Sequence, residues 1–141
     1  MLRRDYFLRL LHDVFAAIAS ILRSDAAISD RQSEIESLYT IFGHTADFFR
    51  TADPDELVMA VASSAAEANL CSISAVSQDE MAKRLELLAA LMYADAKVSS
   101  LSDSLRADVS SRSLYLYQRV DALSDDFSLE RIERINELKI V

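Results

Sequence analysis

Apolar side chains recur at intervals of three and four residues along most of the chain, which is the spacing of one face of an α-helix. The opening segment shows this pattern first, because its arginine and aspartate residues fall mostly on the opposite side. We therefore predict an amphipathic helix that packs on a core. Its predicted inner residues are Phe7, Leu10, Leu11, Val14, Ile18, Ile21 and Leu22.

The same opening segment has two features of an export signal, an arginine pair and the small residues of Ala17-Ile18-Ala19. A secretory signal needs a continuous apolar run of about 7 to 15 residues. Arg9, His12 and Asp13 interrupt the apolar stretch, and a transmembrane helix would need an even longer one. We therefore expect a helix of a folded, cytoplasmic domain, with no membrane partner.

Local signals predict where the next helices begin and end. Asp30 is suited to cap a second helix, and Gly43 lies where a helix needs a left-handed terminator. A short helical turn is predicted over Thr45 to Arg50. Asp53 and Pro54 then form a start signal, since Asp accepts from free amides and Pro suits the first helical position.

The second half of the chain continues the helical pattern. The helix after Pro54 is expected to run to about Ala66, while residues 67–76 fit either a continued helix or a loop. Ser77 and Glu80 form a predicted capping box for a helix over about 78–97, which is apolar on nearly every side and therefore expected at the centre.

Two more helices complete the prediction. One ends at about Leu123, and the last is capped by Ser128, with Leu129, Ile132, Ile135 and Leu138 as its inner residues. Alternation with a period of two is missing from every segment of useful length, so strands are not expected. The sequence predicts a single all-α domain over residues 1–141, a helical array or bundle of about five main helices.

Charge limits the choice of partner. The formal net charge is -8, so the field of the protein repels phosphate backbones and anionic membranes. We therefore expect no nucleic-acid partner. The single cysteine excludes an internal disulfide and does not indicate an oxidising compartment.

No catalytic or metal-binding motif emerges. Cys71 with His12 or His44 is the one thiol and base combination available, and nothing local supports it, so packing is the favoured role for Cys71. His44 and Asp47 have the spacing of two metal ligands, but a transition-metal site needs three or four ligands. The acidic residues are expected on solvent faces and at helix starts. We predict a protein without metal or cofactor that is not an enzyme.

Two segments resemble a tetratricopeptide repeat. Arg112 to Leu123 is similar to its second helix, with Ser113 and Val120 at small positions and Tyr117 at the aromatic position, and Leu87 to Ala96 could be the partner first helix. The 34-residue period does not recur, so a regular solenoid is not expected. The resemblance implies tetratricopeptide-like helix pairs.

The start of the chain, Arg3-Arg4-Asp5-Tyr6, looks like that of an uncharacterised family of small all-helical bacterial proteins. This resemblance implies a tetratricopeptide-like fold in a bacterial cytoplasm and supplies no activity. The four residues could form an ion-paired collar that ties the chain start to a neighbouring helix, and such a collar could also bind a partner.

The leading functional hypothesis is a non-enzymatic scaffold that binds a partner helix or peptide in a groove. Its candidate anchors are Tyr93, Arg112 and Tyr115, because aromatic and Arg side chains dominate binding energy at interfaces. The alternative for these residues is that Tyr93 belongs to the core and the other two are solvated. The competing hypothesis is a symmetric homodimer without a ligand groove. An enzyme would require a buried pocket near Cys71.

Overall fold

The computed structural model describes the backbone of residues 2–69 and 78–140 and the side chains of residues 8–62 and 78–140. The described part of the chain is all-α, with seven α-helices and no strand. The helices are α1 (Leu2–Arg23), α2 (Ile28–Tyr39), α3 (Ala46–Thr51), α4 (Pro54–Asn69), α5 (Gln78–Val98), α6 (Asp103–Leu123) and α7 (Leu129–Ile140). The all-α prediction is confirmed, while the expectation of about five helices is too low.

The helix α5 lies at the centre of the bundle. Every side chain from Leu87 to Ala96 is buried, as expected for a helix without a polar face. The helices α1, α2, α4 and α6 pack around it, and α7 packs on the outer side of α6. One continuous apolar core therefore receives side chains from all seven helices.

The opening helix follows its predicted pattern. Leu11, Val14, Ile18 and Ile21 are buried on the side that packs against α5, and Asp13 is exposed. The segment is thus part of the core over its described side chains. None of the described helices is both long and apolar enough to cross a membrane.

Two of the predicted boundaries are confirmed. Gly43 has a φ of 87° and ends a short 3-10 turn, Thr40–Phe42, that extends α2. The Ser128 hydroxyl accepts a hydrogen bond from the Arg131 amide at 3.2 Å at the start of α7. Ser77 and residues 70–76, including Cys71, lie outside the described residues, although α4 continues past Ala66 to Asn69.

The predicted cap of α2 is wrong. The helix begins at Ile28, so Asp30 lies in its first turn and Ala27 precedes it without a capping side chain. The turn before the helix is instead held by Arg31, whose Nε donates to the Ala26 carbonyl at 3.0 Å. The acid in the first turn still complements the helix dipole, which explains its place in the sequence.

Candidate functional site

A buried ion pair joins α3 to the last turn of α5. Asp95 is fully buried and Arg50 is 4% exposed. The guanidinium approaches the carboxylate as a fork, with Nε donating to Oδ2 and Nη2 donating to Oδ1, both at 2.8 Å. This two-bond geometry is the strongest form of the Arg–carboxylate pair.

Further polar groups complete this cluster. Tyr39 donates to Asp95 Oδ2 at 2.8 Å and Ser99 donates to Oδ1 at 2.6 Å, so the carboxylate accepts four hydrogen bonds. The remaining terminal nitrogen of Arg50 donates to Glu36 at 3.0 Å. Burial and the neighbouring carboxylate raise the pKa of the Tyr39 hydroxyl well above its usual value. The cluster holds α2, α3 and α5 together, and its saturated carboxylate is arranged for structure rather than proton transfer.

The finding overturns one sequence expectation, that the acids lie on solvent faces and at helix starts. Asp95 is the exception, because it lies in the buried run Leu87–Ala96 of α5. A lone acid in such a run is itself a signal, since a buried charge needs a partner. The sequence does not say which of its arginines is that partner.

A second buried arginine anchors α7. Arg131 donates to Asp121 of α6 at 2.6 Å, to Glu86 of α5 at 3.0 Å and to the Asp126 carbonyl at 2.6 Å. Burial opposes the charge of Arg131, but the hydrogen bonds to the two carboxylates outweigh it and raise its pKa. The start of α7 is therefore tied to two other helices by one side chain.

A cleft of about 210 Å³ opens beside this arginine. Residues of α5, α6 and the link before α7 line it, including Asp79, Glu86, Asp126 and Phe127. Its volume lies below the range of about 300–1,000 Å³ typical of small-molecule sites.

The middle of α7 is joined to α5 and α6 by a cation–π contact, a hydrogen bond and an ion pair. The Arg134 guanidinium lies 4.7 Å from the centre of the Tyr93 ring and donates to the Tyr117 hydroxyl at 3.0 Å. Lys97 lies 5.2 Å from the centre of the same ring and pairs with Glu137 at 3.2 Å. Burial raises the pKa of Tyr117 to about 12, against the opposing effect of Arg134. These side chains of α7 therefore contact α5 and α6.

The outer face of α7 carries a second row of apolar side chains. Leu129, Ile132 and Ile140 are 60%, 38% and 86% exposed, and Phe127, just before the helix, is 80% exposed. At 100° per residue, the three helical residues share one face with Asn136, opposite the buried Leu138. We call Leu129, Ile132 and Ile140, with Phe127 at its end, the outer stripe.

The outer stripe corrects the predicted inner face of α7. Ile135 and Leu138 are buried as expected, while Leu129 and Ile132 are exposed. All four residues fit a spacing of three, but a row at strict intervals of three drifts around a helix of 3.6 residues per turn. The part of that row that faces inward lies on the same side of α7 as Arg131 and Arg134, which bond to α5 and α6.

The predicted groove residues occupy different places. Tyr93 is buried under Arg134, and Arg112 donates to the Ala52 carbonyl at the end of α3 at 2.7 Å. Tyr115 is half-buried against the core. The described contacts of Tyr93 and Arg112 therefore go to different helices. The four collar residues Arg3, Arg4, Asp5 and Tyr6 belong to α1, and their side chains lie outside the described ones.

The histidines have no shared site in the described structure. His12 is exposed and lies 3.6 Å from Asp13, and His44 stacks on Phe48 with ring centres 4.2 Å apart. Within the described residues, no group of three or more His, Cys, Asp or Glu side chains is placed to hold a metal ion.

Comparison with known proteins does not assign the chain to a family. No protein-family model, no curated protein and no solved structure matches it.

Proposed function

We propose that the protein is a non-enzymatic protein-binding module that accepts a partner helix or peptide on the outer stripe of α7. The observation that supports this function is the apolar character of α7 on both sides. Its inner side buries Ile135 and Leu138, whereas its outer side leaves Leu129, Ile132 and Ile140 in solvent. Exposed apolar side chains gathered on one helix face are typical of protein–protein contact sites.

The stripe has the form that a helical ligand needs. Its members recur at intervals of three, four and seven residues around Asn136, so a second helix could pack along it as in helix-in-groove recognition. The helix that presents them is held by the three hydrogen bonds of Arg131. A face fixed in this way loses little conformational entropy when it binds.

The same proposal includes a cytoplasmic location and a tetratricopeptide-like relationship of α5 and α6. The two helices pack closely, and the Ser113 hydroxyl of α6 donates to the Ala89 carbonyl of α5 at 2.8 Å. This contact supports the assignment of Ser113 to a small position at a close helix crossing.

Site-specific photo-crosslinking tests the proposed function. A photoreactive amino acid at Ile132 should capture a discrete partner from bacterial lysate, whereas the same group at the exposed Glu34 of α2 should not. Substituting Leu129→Gln and Ile140→Gln in the Ile132 probe should abolish capture, since glutamine keeps a good helix propensity while removing the apolar surface.

Two results would overturn the proposal. Equal adducts from both positions would mean that the outer stripe has no special affinity. Adducts formed only between copies of this chain would assign the stripe to the homodimer instead.

A further inference from the structure

The two edges of the outer stripe carry opposite charge. Helical geometry places Glu130, Glu133 and Glu137 along one edge, at intervals of three and four residues, and Lys139 on the other. Asp125 and Asp126 precede the helix in the sequence, and both are exposed. Carboxylates therefore border the stripe from Glu130 to Glu137.

Part of this acidic edge is not neutralised. Glu137 pairs with Lys97, and Glu130 lies 3.4 Å from Arg134 within the same helix. Glu133 is exposed and has no ion pair among the residues that the structure describes. The one buried cation near the start of the stripe, Arg131, is already matched by Asp121 and Glu86. A bound partner would thus meet a negative edge.

The cleft beside Phe127 is lined by both acidic and basic side chains. Asp79 pairs with Lys83 and Glu86 pairs with Arg131, and all four residues line the cleft. Asp126, which also lines it, is exposed and has no ion pair among the described residues. The cleft lies at the end of the stripe where Phe127 is exposed, so the Asp126 carboxylate is open there to a long cationic side chain.

We infer that the partner segment is a cationic amphipathic helix, with an apolar row for the outer stripe and lysine or arginine side chains for its acidic edge. This inference rests on the proposed function and adds the chemistry of its ligand. Charge complementarity supports it over a second copy of this chain paired in the antiparallel sense, because each edge of α7 would then meet the same edge of its mate and the glutamates would face each other. A parallel two-fold pair would set the three glutamates of one copy against a single lysine of the other, Lys139.

The net charge of -8 supports the same choice. Two copies of this chain repel each other at long range, and anionic lipid surfaces are repelled as well. A cationic ligand is attracted, and its association is expected to weaken with salt.

Three synthetic amphipathic peptides of about five helical turns test the inference. They share leucines at helical spacing and carry lysine, glutamine or glutamate at all other positions. Fluorescence anisotropy should show the tightest binding for the Leu/Lys peptide and the weakest for the Leu/Glu peptide. Raising the salt concentration should weaken the Leu/Lys complex and leave the Leu/Gln complex nearly unchanged.

Paired variants separate the acidic edge from the general charge of the protein. Glu130→Gln with Glu133→Gln should weaken Leu/Lys binding about tenfold and reduce its salt dependence. Asp30→Asn with Glu34→Gln removes the same charge from the exposed face of α2 and should leave binding unchanged. Leu129→Gln with Ile132→Gln and Ile140→Gln should abolish binding of the Leu/Lys and Leu/Gln peptides alike.

The outcomes distinguish the two proposals. Equal binding of Leu/Lys and Leu/Gln peptides, unaffected by the glutamate substitutions, would overturn the cationic ligand and leave the docking stripe in place. Peptide binding that is unchanged by the stripe substitutions would overturn both the docking role of the stripe and the cationic ligand. Stripe-dependent dimerisation in sedimentation, or stripe-dependent flotation with phosphatidylcholine vesicles, would contradict a cationic helix as the occupant.

Discussion

Arg50 and Asp95 are 45 residues apart in the chain and form a two-bond ion pair with both distances at 2.8 Å. The pair is nearly free of solvent, because Asp95 is fully buried and Arg50 is 4% exposed. Its hydrogen bonds to Tyr39, Ser99 and Glu36 satisfy the polar groups that burial would otherwise leave unpaired. Removing one partner alone would therefore leave the other buried without its ion pair.

Breaking this ion pair should destabilise the protein strongly. Asp95→Leu leaves a buried guanidinium without its carboxylate, and the expected loss is about 3–5 kcal/mol of unfolding free energy in urea titration. The double variant Arg50→Met with Asp95→Leu should recover a large part of that loss, because it removes both charges. Asp79→Asn, at the exposed pair with Lys83, is the control and should change stability by less than about 1 kcal/mol. Equal losses in the single and double variants would mean that the attraction between the charges contributes little.

The two faces of α7 should respond differently to the same substitution. Leu138→Ala removes buried side-chain volume and should cost about 2–4 kcal/mol, whereas Leu129→Ala changes a 60% exposed residue and should stay within about 0.5 kcal/mol. The measurement is chemical denaturation of both variants under identical conditions. A large loss for Leu129→Ala would place this residue in the core and remove the basis of the outer stripe.

Alkaline pH should weaken the protein through Tyr117. Burial raises its pKa to about 12 in the folded state, above the value of 10.0 of an unperturbed tyrosine. The folded state therefore holds the proton more tightly, so the stabilisation is complete below pH 10 and is lost as pH rises through about 12. The loss from this group should reach about 2–3 kcal/mol. Tyr117→Phe should flatten the stability profile between these pH values. Parallel profiles for wild type and Tyr117→Phe would contradict the assignment.

Gly43 should be sensitive to substitution because of its backbone alone. Its φ of 87° lies in the left-handed region, and a Cβ added there would meet no atom within 4 Å. Gly43→Ala should therefore cost about 1–2 kcal/mol from backbone strain without any steric clash. Gly43→Asn should cost less, because asparagine tolerates this conformation better. Thermal unfolding of the two variants measures the difference, and an asparagine variant no better than alanine would argue against strain as the cause.

The helices were predictable because their signals are local. Glycine at position 43 and serine at 128 act within one turn of their own helix, and the apolar spacing of α1 and α5 is visible in any window of a few turns. The cap of α2 was missed because Asp30 and the residues before Ile28 offer several starts of similar strength. In the structure α2 begins at Ile28, and the Ser100 amide donates a tertiary hydrogen bond to the Gln32 side chain in the second turn of the helix.

The sequence by itself determined the all-α class, the central position of α5 and the net charge of -8, because composition and helical spacing are properties of the chain order alone. Only the tertiary structure decided that Asp95 takes Arg50 as its partner and that α7 turns Leu129 and Ile132 outward. Both outcomes depend on which distant side chains meet. The side of α7 that faces inward carries Arg131, which pairs with Glu86 of α5 and Asp121 of α6. The apolar spacing within α7 contains no information on where those two carboxylates lie.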